Sequence, residues 1–171
     1  MGNPSNWFNP RGCCDKALPT GLVGSTDTIN SSDIGKLLFR SSNKVVMATG
    51  GSSFSTSLIA GIIAGVAMTN STGSSGASDT AVVQYRKLNP SYEIEGTYST
   101  LYSTLHPGTT DIGNYIGLST AATIAGAVLS MANIGNTVGT TDGRFMKITG
   151  FSTNRRKVYG FPVYGAANIA W

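Results

Sequence analysis

With 171 residues, 12% charged and 40% hydrophobic, the chain is too apolar to stay disordered and long enough to bury a sizeable core. Twenty serines, twenty threonines and 22 glycines carry its polarity through hydroxyls and backbone, which favours strands and turns over helices. The net charge of +4 is scattered apart from Arg155-Arg156-Lys157, with Arg144 and Lys147 just before it. A solvated hairpin turn accounts for that run, and no cationic stripe with stacking partners marks a nucleic-acid binder.

The first residues, MGNPSNWFNPRGCCDKALPTG, carry prolines at 4, 10 and 19 and no period of either kind. They are expected to form an extended arm over residues 1–24, without helix or ladder, lying on its own domain or on a neighbour. The start has no apolar core with a basic flank, so a signal peptide is not expected, and the Gly2 myristoylation pattern fails at Asn6. Adjacent Cys13 and Cys14 suit neither an unstrained disulfide nor a zinc site, and are expected to be reduced thiols, with intermolecular links as the alternative.

From Leu37 the chain reads as short strands: LLFR, KVVMAT up to the GGSS turn at Gly50, then Leu58–Met68, too short to cross a bilayer and best read as a buried strand or bent pair. A loop from Asn70 to Ser78 leads into TAVVQYRKL. In YEIEGTYSTLYS the residues Tyr92, Ile94, Tyr98 and Tyr102 keep the even spacing of one strand face. Further short strands are expected in NYIGL, ATIAGAVLSMANI, GRFMKITGF and KVYGFPVYG.

Two stretches echo each other: SSDIGKLLF at Ser31–Phe39 and TTDIGNYIG at Thr109–Gly117, 78 residues on. A second match sets Ile63-x-Gly65 against Ile148-x-Gly150, at an offset of 85, and a turn and closing strand follow each. Three features in the same order predict a duplicated β unit, 25–90 and 91–171, within an all-β protein with a small β-barrel or β-sandwich core. In each Asp-Ile-Gly the Asp is expected to bond backbone amides just ahead, the Ile to point inward and the Gly to take positive φ.

Little else offers chemistry. The one histidine, His106, precedes Pro107-Gly108 in a turn, and no nucleophile elbow accompanies it. Glu93 and Glu95 lie side by side on one strand face, whereas a glycosidase places its carboxylates across the scissile bond. Neither Asp33 nor Asp111 has the ligand spacing of a calcium loop, and GSSGAS lacks the lysine of a phosphate cradle. No catalytic residue, cofactor or metal ligand is assigned, and no enzyme is expected.

The order of parts resembles the small β-barrel capsid cement (decoration) proteins of tailed bacteriophages. The resemblance rests on Asp33-Ile34-Gly35 and Asp111-Ile112-Gly113, each opening a strand, and on the Gly65-Val66-Ala67 step with Gly150-Phe151-Ser152; it covers Ser31 to about Tyr164. The chain departs from the family in lacking its acidic character and in carrying the proline-rich arm. The resemblance implies a non-enzymatic virion protein on the outer surface of the major capsid protein lattice, often a trimer, with no nucleic-acid or membrane partner. Trp7, Phe8 and Arg11 of the arm, and the terminal Trp171, are the expected anchors on capsid or neighbouring subunit, because buried aromatics and Arg dominate binding energy. Other classes left open are a tail-tube or fibre subunit and a carbohydrate-binding β module.

Overall fold

The computed structural model describes residues 8–11, 18–24, 28–48, 58–66, 70–72, 82–99, 106–118, 127–138, 144–163 and 169. Among these the chain is all-β, with no α-helix and two single 3-10 turns, Ser31–Asp33 and Thr109–Asp111. The strands are β1 (Phe8–Arg11), β2 (Thr20–Leu22), β3 (Thr28–Asn30), β4 (Leu37–Ser41), β5 (Lys44–Met47), β6 (Leu58–Val66), β7 (Asn70–Thr72), β8 (Val82–Arg86), β9 (Glu93–Ser99), β10 (Tyr115–Leu118), β11 (Leu129–Gly135), β12 (Met146–Ser152) and β13 (Lys157–Pro162). The GGSS turn, Cys13 and Cys14 lie outside the described residues.

The second half closes on itself. Its order is β9-β11-β10-β12-β13, and β13 returns to pair with β9, so five strands form a barrel with a parallel β9–β11 seam. The first half repeats this plan as an antiparallel sheet, β2-β8-β6-β4-β5, whose edge strands meet at the parallel bridge Val23–Val45. The two-stranded β3–β7 ribbon accompanies the first sheet.

The registers match pair for pair. Leu37 faces Ile62 and Leu38 faces Gly61, as Tyr115 faces Lys147 and Ile116 faces Met146. The register of β6 on β8 shifts between Ile63 and Gly65; that of β12 on β13 shifts between Ile148 and Gly150. Both Ile-x-Gly steps are therefore β-bulges, the setting in which a strand glycine is at home. The closing pairs agree too, Val23 with Val45 in the first half and Tyr98 with Leu129 in the second. The second half departs in β11, where the register against β10 jumps from Ile134 to Ser130 across Ile116/Gly117.

The side chains follow the registers. In the first half Val23, Leu38, Val45, Ala60, Ile63 and Val83 share one core with Ile29. Their counterparts Tyr98, Ile116, Leu129, Phe145, Ile148 and Val158 are all buried in the second. Alternation does the sorting: in β9 the even residues Ile94, Gly96 and Tyr98 are buried while the odd ones are only partly so. The two halves share a further apolar layer, because Leu37, Phe39, Ile59 and Ile62 on the outer side of β4 and β6 join the second barrel's cluster. Backbone bonds cross the same join, Ala127 N to Ala48 O at 2.8 Å and the Ile59–Ile169 bridge.

The arm is extended, but it enters ladders. β2 is an edge of the first sheet, and β1 pairs antiparallel with β9 of the second barrel, Pro10 facing Ile94. The expectation that the prolines forbid a ladder is corrected: Pro10 is tolerated because β1 is an added edge strand.

Candidate functional site

The two Asp-Ile-Gly segments occupy one and the same turn. Asp33 Oδ2 accepts from Asn30 N at 2.9 Å and Asp111 Oδ2 accepts from Gly108 N at 2.7 Å. The capped amide thus lies three residues back rather than ahead. Gly35 and Gly113 take φ of 92° and 91°, the left-handed region where glycine is unstrained. Their amides donate to Ile63 O and Ile148 O, each at 2.9 Å, which pins the turn to the bulge. The isoleucines part company: Ile34 packs on the first core, whereas Ile112 is 49% exposed and does not point inward. Beside Asp33 the first copy holds a buried ion pair, Lys36 Nζ to Asp33 Oδ1 at 2.7 Å; Asn114 stands in the lysine's place in the second. Both turns are architectural, and no group of three or more metal-ligating side chains occurs among the described residues.

The expected anchors divide. Trp7 and Trp171 lie outside the described residues. Phe8 is fully buried, and the expectation that it anchors a partner is corrected. Its ring sits over Gly96, where an added Cβ would come within 2.6 Å of it, and 6.5 Å from the ring of Phe145. Its amide donates to Gly35 O at 2.8 Å, so one residue touches both halves. Arg11 is half-exposed, ion-paired with Glu93 at 2.8 Å and stacked 4.2 Å from the ring centre of Tyr159. That outward face of β1, β9 and β13 is knitted further by Asn9 Nδ2 donating to Glu95 and Thr149 Oγ1 donating to Glu93. Glu93 and Glu95 serve strand cohesion on this face.

His106 is exposed as expected, yet Nδ1 lies 2.9 Å from the Tyr98 hydroxyl and the two rings meet edge to face. Burial raises the Tyr98 phenol above its ordinary range, opposed by nearby Arg156. Arg155 and Arg156 form the expected exposed turn, but Lys157 is only 2% exposed and donates to Thr97 Oγ1 at 2.9 Å. Burial lowers its pKa, Glu95 opposes this, and Arg155 adds to it. Sequence reasoning missed Lys157 because a charge at the end of a basic run looks like part of a turn; its place as the first residue of β13 decides otherwise.

No family model, no curated protein and no solved structure matches the chain.

Proposed function

We propose that the protein is a non-enzymatic virion structural protein that binds the outer surface of a major capsid protein lattice and stabilises the phage head. One observation supports this above others. The Asp-Ile-Gly turn, the strand it opens and the bulged Ile-x-Gly strand, on which the resemblance to cement proteins rests, recur as a single structural unit twice in the chain. Two small sheets that each return to their starting edge, joined by a buried apolar layer, make a stiff block with short exposed edges. A cement protein needs such a block, because many copies bridging neighbouring subunits replace single-site strength by avidity. A trimer located on the capsid exterior, assembled in the host cytoplasm, is the arrangement that goes with this reading.

Since Phe8 is part of the core, deletion of the arm would unfold the protein rather than isolate a docking contact. The test therefore uses the intact chain, added to expanded shells of the major capsid protein that lack it. Saturable co-sedimentation and a raised shell disruption temperature are expected. Absence of binding at micromolar protein sinks the reading, and polymerisation of the protein alone into tubes would replace it by the tail-tube alternative.

A further inference from the structure

The duplication permits each half to be read against the other, and one difference between them bears on binding. In the second barrel the space beside Gly96, Leu129 and Phe145 is filled by the Phe8 ring, delivered by β1 pairing on β9 with Phe8 opposite Gly96. The registers make Gly21, Val45 and Ala60 the counterparts of those three residues. In the first sheet these same residues line an open cleft of about 200 Å³. Its rim holds three cations, Arg40, Lys44 and Lys87, and no acidic side chain lines it among the described residues. The counterpart of Arg40 is the fully buried Leu118, so the change from apolar plug to charged mouth is specific to the first half.

We propose that this mouth is a docking site for an acidic side chain, Asp or Glu, presented by an extended segment of a partner protein. Two observations carry it. The first is the internal precedent: the same position in the second barrel is occupied by a side chain that an added strand delivers. Thr20 and Gly21 pair with β8 on one side and, among the described residues, with no strand on the other, which leaves the equivalent edge for β-augmentation. The second is charge complementarity, since three cations around the mouth favour a carboxylate and repel a basic insert. The proposal goes beyond the capsid reading and stands whether or not the partner is a capsid lattice.

The test is an amide-shift titration of the full-length protein with the blocked peptide Thr-Val-Glu-Val-Thr and with its Thr-Val-Gln-Val-Thr counterpart. The glutamate peptide is expected to shift Thr20, Gly21 and Val45 saturably, and the glutamine peptide to bind about tenfold more weakly, the factor for loss of one charge-assisted bond. Lys87→Gln, on the exposed rim, should weaken the glutamate peptide alone. Ala60→Phe, which copies Phe145 into the floor, should abolish binding while the Tm holds. Equal binding of the two peptides, shifts confined to the β1 face around Arg11, or inorganic phosphate competing at the peptide's own affinity would each overturn the proposal.

Discussion

At the scale of single residues, the two copies of the turn form a natural control for the energetics of a buried charge. Asp33 and Lys36 are both nearly inaccessible, and removal of one partner leaves the other charge buried without its counter-ion. Lys36→Met should therefore cost about 3 kcal/mol in urea denaturation. Asn114→Met, beside the more exposed Asp111, should cost less than about 1 kcal/mol. Lys157 presents the converse case, because its counterpart in β8 is Val82. A lysine whose folded pKa is lowered carries fewer protons folded than unfolded, so stability rises with pH through the window below the ordinary lysine value. Lys157→Met should flatten that rise in a pH series of chemical denaturation. Tyr98 acts in the opposite sense. Its raised pKa means the unfolded chain loses the phenolic proton first, so stability falls as pH climbs above about 10. Tyr98→Phe should remove that fall, at the cost near neutrality of the hydrogen bond to His106, about 1 kcal/mol.

At the scale of elements, glycines mark where backbones approach too closely for a side chain. A Cβ on Gly61 would sit 2.1 Å from Arg86 O, and one on Gly160 would sit 2.2 Å from Lys147 O. The bulge glycine Gly150 has 3.5 Å to its nearest neighbour, the Tyr159 ring. Alanine at 61 or 160 should thus destabilise by roughly 1–3 kcal/mol or prevent folding, while Gly150→Ala should be within about 1 kcal/mol of the parent. The repeat was legible in the sequence because the turn requires a glycine at positive φ, and Asp-Ile-Gly, followed by Ile-x-Gly, recurs at offsets of 78 and 85. The parallel seams were not legible. Val23 on Val45, and Tyr98 on Leu129, join strands far apart in the chain, and such pairing leaves no local signature. Nor was the destination of β1, which pairs in the second barrel although β2, the next strand in the chain, belongs to the first sheet; the Gly96 notch that receives Phe8 accounts for it.

At the scale of the whole molecule, β1 ties the two halves together. Phe8 fills the second barrel with its ring and bonds the first half's turn through its amide. Phe8→Ala should cost about 3–5 kcal/mol, and it should lower a single cooperative transition rather than split it, which calorimetry checks. The candidate site follows the same pattern of legibility. The arm's aromatic content was visible in the sequence, but whether Phe8 faced home or a neighbour depended on a glycine 88 residues away.

The covered apolar face of the first half has a consequence for how copies add to one another. Leu37, Phe39 and Ile62, which the second half covers, have as their counterparts Tyr115, Gly117 and Lys147. A third unit arriving head to tail would meet a tyrosine edge and an exposed ammonium where the second met leucine and isoleucine. The second half thus presents a polar outer face on this side, as a capping repeat does in a solenoid. Restoring the apolar counterparts, Tyr115→Leu with Lys147→Ile, should turn a closed pair into an open, concentration-dependent chain in sedimentation velocity, the risk that any non-closing contact carries.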